Sequence, residues 1–222
     1  MKKYKLGLQL YTIKPIVAED MDRALREVKQ MGYDCVEFAG YFGHTAEEIR
    51  AMLDKYGLEC VSTHQHINIF EEEGKKAIEF QLKLGVKYSV IPACGPENYV
   101  DRHTWEAIRD RFKNVSKMLS KNGISLFYHN HDYEFDLMGD KTVYDTIFSE
   151  IGIENIKPEI DVCWAYYAGN DVVQLINRFS GNVPIMHIKD FSCVNLPDSY
   201  DYTKKEHKKK TKKENGFMYR PV

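Results

Sequence analysis

The sequence lacks the patterns that would place the chain in a membrane, outside the cell or on nucleic acid. No apolar run approaches the ~20 residues that a membrane-spanning helix needs, and no basic start followed by an apolar segment indicates a secretory signal. The five cysteines include no CxxC pair, so a reducing compartment suits them best. The formal net charge of −2 gives no overall field to attract nucleic acid or an anionic membrane. We therefore expect a cytoplasmic protein without a nucleic-acid or membrane partner.

Short apolar segments alternate with amphipathic segments along most of the chain, and this pattern is typical of parallel strands joined by helices. Glycines mark several of the changes from helix to strand, as expected where a helix ends in the left-handed conformation. Seven strands are predicted, over residues 5–12, 35–40, 59–66, 88–93, 125–131, 156–163 and 184–190. Helices are predicted over 18–31, 70–84, 102–121, 141–150 and 171–179, and another begins at a capping box of Thr45 and Glu48.

Seven βα units predict an α/β fold of the TIM (β/α)8 barrel type in which the eighth strand is missing. An open doubly wound sheet is the alternative, but no GxGxxG follows the first predicted strand. We expect one barrel domain over residues 1–190 and a lysine-rich loop or tail over 191–222. The lysines of 204–213 are interpreted as a solvated loop, and contact with phosphate or nucleic acid is the less favoured interpretation.

Polar side chains gather at the carboxyl ends of the predicted strands, which is where such barrels carry their chemistry. The segment 128–134 reads YHNHDYE, and the two-residue period of a strand places His129 and His131 on one face. Later strand ends supply Asp161 and His187. Each of these residues alone could be a hydrogen-bonded core residue or a helix cap, but together they indicate a functional site. Imidazoles with carboxylates suit Mn, Fe, Co, Ni or Zn better than Ca or Mg.

These residues resemble the sugar phosphate isomerase/epimerase family of xylose-isomerase-like barrels, which is related to inosose dehydratase and the ketose 3-epimerases. The resemblance rests on LGLQLYT at 6–12, VEF at 36–38, YHNHDYEF at 128–135, Asp161 with Trp164, and HIKD at 187–190. In the epimerases of this group a divalent metal is held by Glu, Asp, His and a second Glu. Asp161 and His187 match the middle two, and His129 occupies the first position.

The resemblance implies a divalent metal held by His129, Asp161 and His187, chosen among Mn, Co, Zn, Fe and Mg with Mn favoured. The second Glu of the family belongs to an eighth strand that would follow Val222, so we expect a truncated chain. The implied activity is removal of a proton next to a sugar carbonyl through an enediolate. Its outcome is isomerisation or epimerisation of a sugar or sugar phosphate, and the alternative is a dehydratase that expels a β-hydroxyl.

The candidate residues outside the metal site are divided by expected role. The catalytic candidates are Glu37, His131, Glu134 and Lys189, and the substrate-binding candidates are Tyr11, His64, His66 and Trp164. Two other classes stay open: a non-catalytic sugar-binding barrel, and a metal-dependent phosphodiesterase acting on DNA. The acidic balance of the chain outside 204–213 disfavours the phosphodiesterase. The expected partner is a small-molecule sugar or polyol, and assembly into a homo-oligomer stays open.

Overall fold

The computed structural model describes residues 4–99, 101–196, 212 and 214–220. The chain divides into two compact units. Unit one comprises Met1–Ile91 with Met118–Leu126, and unit two comprises Pro92–Lys117 with Phe127–Val222. In the part of the chain that the structure describes, no helix has the length and apolarity to cross a bilayer.

Unit one consists of parallel strands connected by helices. Its strands are β1 (Gly7–Gln9), β2 (Cys35–Phe38), β3 (Glu59–His64) and β4 (Tyr88–Ile91). Its helices are α1 (Lys14–Glu19), α2 (Met21–Gln30), α3 (Ala46–Tyr56), α4 (Ile67–Glu72) and α5 (Lys75–Leu84). Each strand pairs in parallel with the next one along the chain. The core forms where the apolar stripes of the helices cover the strands, as in α2, whose buried residues recur every three or four positions.

Local sequence signals set the ends of α3 as predicted. The Thr45 hydroxyl accepts a hydrogen bond from the Glu48 backbone N–H at 3.2 Å, and the Glu48 carboxylate accepts one from the Thr45 N–H at 2.8 Å. This reciprocal pair satisfies two N–H groups that would otherwise lack a helical partner. The helix ends before Gly57, whose φ of 62° is left-handed and favours glycine.

Unit two contains most of the longest helix and three further parallel strands. Its helices are α6 (Arg102–Ser120), α7 (Val143–Ile151), α8 (Val162–Tyr167) and α9 (Val172–Arg178). Its strands are β5 (Ser125–His129), β6 (Leu137–Met138), β7 (Lys141–Thr142), β8 (Lys157–Asp161), β9 (Met186–His187), β10 (Asp190–Ser192) and β11 (Met218–Arg220). Helix α6 belongs to this unit up to Lys117, and β5 belongs to it from Phe127. Strand β8 lies between β5 and β9 and is parallel to both. Strands β6 and β7, and β10 and β11, form antiparallel pairs.

All seven predicted strands are present, but several are shorter than predicted. The strand predicted over 156–163 ends at Asp161, whose carboxylate caps α8 by accepting from the Trp164 N–H at 3.1 Å. The helix predicted over 18–31 is divided at Asp20, which caps α2. Helix α8 and the two antiparallel pairs were not predicted, since their segments are too short to show a period.

The lysine-rich segment is described only in part. Strands β10 and β11 bring together two parts of the predicted tail at 191–222. The lysines at 204–210 and Lys213 lie outside the described residues, so their interpretation as a solvated loop stays a prediction.

Candidate metal centre and active site

The carboxyl ends of β5, β8 and β9 bring two histidines and a glutamate together. The strand register places His129 opposite Glu159. His129 Nδ1 lies 3.0 Å from Glu159 Oε2, and His187 Nε2 lies 3.5 Å from the same oxygen. One nitrogen or oxygen from each of the three side chains lies within 4.8 Å of the others. Three atoms of the types that bind metals therefore converge on one point.

Asp161 lies next to this group and contacts the ammonium of Lys189. Its Oδ2 lies 3.6 Å from His129 Nε2, 3.9 Å from His187 Nδ1 and 2.6 Å from Lys189 Nζ. The three predicted ligands, His129, Asp161 and His187, are thus close together, and their assignment as ligands stays a prediction. Asp161 also caps α8, so it combines the structural role that was considered for it with a place beside the imidazoles.

The donor set fits the divalent metal that the sequence resemblance implies. Glu159 and Asp161 are fully buried, and His129 is 3% exposed. Buried carboxylates are costly unless positive groups or metals balance them. Two imidazole nitrogens with carboxylate oxygens suit borderline divalent ions better than Ca or Mg.

Asn130 fixes the spacing between β5 and β8 at the level of this centre. Its side-chain oxygen accepts from the Asp161 N–H at 2.9 Å, and its amide nitrogen donates to the Asp161 carbonyl at 3.2 Å. The side chain is fully buried. Because both backbone groups of Asp161 are held by one amide, the neighbouring carboxylate has a defined position.

Glu134 anchors the segment that carries the site histidines. The Tyr128 hydroxyl donates to Glu134 Oε1 at 2.6 Å, and the His131 backbone N–H donates to Oε2 at 2.7 Å. The Tyr128 hydroxyl also lies 2.9 Å from the Tyr99 hydroxyl. Burial raises the pKa of Glu134 to about 7, although these hydrogen bonds oppose the shift. Both oxygens are engaged and the side chain is fully buried, so these contacts fit a positioning role; the predicted role in proton transfer is untested.

His131 lies beside the metal centre, among aromatic and cationic groups. Its ring centroid lies 5.1 Å from that of His129 and 5.9 Å from that of Trp164. Burial, and then the positive charges of Lys212 and Lys189, lower the pKa of His131 to about 4. Its Nδ1 has no hydrogen-bond partner within the described part of the chain. The imidazole is therefore neutral at pH 7.

A second pair of imidazole and carboxylate groups lies within unit one. His64 Nε2 is 2.9 Å from Glu37 Oε1, and the Ser62 hydroxyl donates to the other oxygen of Glu37. The Gln9 amide nitrogen lies 3.1 Å from His64 Nδ1. Both members of the pair are buried. The two predicted site residues Glu37 and His64 are thus direct partners.

His66 and Tyr11 lie beyond the ends of their strands rather than inside them. The prediction extended β3 to His66, but the strand ends at His64 and His66 is the exposed residue that precedes α4. Tyr11 lies in the 3-10 turn Leu10–Ile13 that follows β1, and its side chain is 61% exposed. The strand period therefore does not set the direction of either side chain, and their substrate contacts stay predictions.

Glu159 of the metal centre and the nearby Lys212 were not selected as site residues from the sequence. Glu159 lies two positions before Asp161, so strand alternation could have placed both carboxylates on one face. No local sequence pattern indicates a site role for Lys212, because only the folding of the chain brings its ammonium to 3.8 Å from the ring centroid of Trp164.

Parallel βα units with polar side chains at the carboxyl ends of their strands are typical of TIM-barrel proteins. The family model described as a xylose isomerase-like TIM barrel matches residues 25–207. The chain therefore belongs to this family, which confirms the predicted family and the predicted α/β barrel class.

The chain is similar to sugar and polyol enzymes over most of its length. An inosose dehydratase of Geobacillus kaustophilus is 26% identical over 76% of this chain, and the chain spans 61% of that protein's length. A sugar phosphate isomerase/epimerase from Parabacteroides distasonis has a TM-score of 0.74 and 25% identity, and the match covers 84% of this chain and 79% of that one. An IOLI protein with a bound zinc atom has a TM-score of 0.68 over 87% of this chain and 75% of that one. Its 16% identity shows the fold alone.

Proposed function

We propose that the chain is a metal-dependent enzyme that removes a proton next to the carbonyl of a small keto sugar or keto polyol. The observation that carries this proposal is the convergence of His129, Glu159 and His187 at three adjacent strand ends. Membership of the xylose isomerase-like family supports it, as does the similarity to proteins named inosose dehydratase and sugar phosphate isomerase/epimerase.

His129, Glu159 and His187 would hold the metal, with Asp161 as a further carboxylate ligand. A bound divalent cation would supply a Lewis acid that polarises the carbonyl and an adjacent hydroxyl group of the substrate. Manganese is the first candidate from the family resemblance, and the zinc in the IOLI structure makes zinc the second.

Each residue around the metal centre has a separate proposed role. His131, neutral and beside His129, is the proposed proton acceptor. Lys189 would donate a hydrogen bond to the oxygen that becomes negative, since its ammonium already contacts Asp161 at 2.6 Å. Trp164 would form an apolar wall for the sugar. Glu134 would hold His131 in place through the backbone.

The Glu37–His64 pair of unit one is a second candidate for proton transfer. A carboxylate 2.9 Å from an imidazole fixes the orientation of the ring. Such a pair can move a proton to or from a substrate hydroxyl or carbon. We propose this role for the pair within unit one.

Return of the proton would give isomerisation or epimerisation, and loss of a β-hydroxyl would give dehydration. The match to an inosose dehydratase favours dehydration as the second candidate reaction. Both reactions begin with the same proton abstraction and require a small-molecule sugar or polyol.

The first step can be tested by solvent exchange. The chain is loaded in turn with Mn, Co, Fe or Zn and incubated with ketoses or inosose in deuterated water. We expect deuterium to enter one carbon next to the carbonyl, detected by proton NMR, and a dehydratase would also form an unsaturated ketone. His131→Phe is expected to slow exchange by at least about 100-fold, because loss of a general base typically has this effect.

The control variant is His103→Phe, which alters an exposed histidine of α6 outside the metal centre. It is expected to exchange at the rate of the unaltered chain. If no substrate incorporates deuterium with any of the four metals, the proposed function is wrong and a non-catalytic sugar-binding barrel becomes the better hypothesis.

A further inference from the structure

Hydrogen bonds hold the turn formed by Lys212 and residues 214–217 in place within unit two. The Phe217 N–H donates to the Lys212 carbonyl at 3.0 Å. The Asn215 amide donates to the Tyr167 hydroxyl at 3.0 Å, and Asn215 is only 3% exposed. One hydrogen bond joins the two ends of the turn and another holds its middle, so the backbone from which the Lys212 side chain extends has a defined position.

Aromatic packing gives this turn a defined place beside Trp164. The Phe217 ring stacks on Trp164 with a centroid distance of 4.9 Å and on Phe191 at 5.2 Å. Gly216 has a φ of 65°, and a Cβ there would approach the Val194 side chain to 2.9 Å. Only glycine suits that position, so backbone conformation and packing together determine how the turn meets Trp164.

The ammonium of Lys212 lies at the edge of the candidate active site. Its Nζ is 3.8 Å from the ring centroid of Trp164 and 3.3 Å from Asp132 Oδ1. The ring centroid of Trp164 lies 5.9 Å from the ring centroid of His131. The Lys212 side chain is 44% exposed, so a ligand arriving from solvent can reach its ammonium. The cation–π contact holds the charge near the site without burying it.

The charges around the site favour an anionic ligand once a metal is bound. The carboxyl groups of Glu159, Asp161, Asp132 and Glu134 and the ammonium groups of Lys189 and Lys212 lie around His131 and the metal centre. A divalent cation held by His129, Glu159 and His187 would add two positive charges to this set. This added positive charge favours the binding of an anion beside Lys212.

We propose that Lys212 recognises the substrate by binding an anionic oxygen group, either a phosphate or a carboxylate, at the position next to Trp164 and His131. The proposal rests on the proposed function for the place of the reacting sugar, but the anion contact does not require turnover. Lysine has three N–H donors on one ammonium, so Lys212 can pair with Asp132 and with a ligand oxygen together.

Anion binding can be measured directly by calorimetry at constant ionic strength. The probes are inorganic phosphate and gluconate, each titrated into the chain with and without a bound divalent metal. Lys212→Met keeps an apolar chain over Trp164 and removes the charge, and we expect it to weaken binding of the preferred probe by about tenfold, the effect of losing one charged hydrogen bond. Lys212→Arg is expected to restore most of the affinity.

The matched control is Lys113→Met, which removes the charge of an exposed lysine on α6. The proposal is supported if only the Lys212 substitution weakens anion binding, and the probe that binds more tightly identifies phosphate or carboxylate as the recognised group. It is overturned if neither anion binds, or if both Met variants lose the same affinity. These results are independent of deuterium exchange, so the recognition role and the proposed function can fail separately.

Discussion

Glu159→Gln is expected to weaken divalent-metal binding by more than about 100-fold. The substitution keeps the size of the side chain but removes the carboxylate on which His129 and His187 converge at 3.0 and 3.5 Å. Loss of a residue that only supports a metal ligand typically costs 10- to 100-fold in affinity, and loss of the ligand itself costs more. Metal affinity is measured by competition with a coloured chelator, separately for Mn and Zn.

Glu154→Gln is the control for this variant, because Glu154 is exposed and lies outside the group of converging side chains. Its metal affinity is expected to equal that of the unaltered chain. Unchanged affinity in Glu159→Gln would exclude Glu159 as a ligand. Circular dichroism of both variants checks that the helices are retained.

Asp161→Asn tests the part of the ligand set that the sequence resemblance supplied. If Asp161 binds the metal directly, Asp161→Asn should lose as much metal affinity as Glu159→Gln. If Asp161 acts mainly on Lys189, which lies 2.6 Å away, metal affinity should be nearly unchanged. The second result would show that the assignment of Asp161 from the family pattern was wrong for this chain.

The place of the site was predictable because it follows from the repeated βα pattern. Once the strands were located, their carboxyl ends were expected at one edge of a parallel sheet. His129 and His187 were selected for this reason, and the structure places both beside Glu159. Glu159 itself was passed over because the family pattern directed attention to Asp161, although both carboxylates lie on the same strand.

Other features depend on contacts between distant parts of the chain. The predicted strand at 59–66 included His66, but β3 ends at His64 and α4 begins at Ile67. The position of Lys212 follows from the stacking of Phe217 on Trp164 and the conformation of Gly216. No period in the sequence records such packing, so only the folded structure could reveal a cation at this edge of the site.

Glu134→Gln is expected to remove a pH-dependent loss of stability. Burial raises the pKa of Glu134 from its ordinary 4.5 to about 7, so between these values the folded chain binds a proton that the unfolded chain has released. The free energy of unfolding therefore falls as pH rises from about 4.5 to about 7, by about 3 kcal/mol in total. Glutamine cannot ionise, and it can still accept from the His131 N–H while its amide donates to the Tyr128 hydroxyl.

Urea unfolding at pH 5, 6, 7 and 8 measures this effect as the difference between the variant and the unaltered chain. The difference is expected to be small at pH 5 and to grow to about 3 kcal/mol in favour of glutamine at pH 8. Glu106→Gln, at a site on α6 where the glutamate forms an ion pair with Arg102, provides the comparison for loss of a surface charge. A difference that stays constant from pH 5 to 8 would mean that Glu134 ionises normally in the folded chain. Growth of the difference with pH would instead show that the segment carrying His129 and His131 is anchored by a carboxyl group that is costly to ionise.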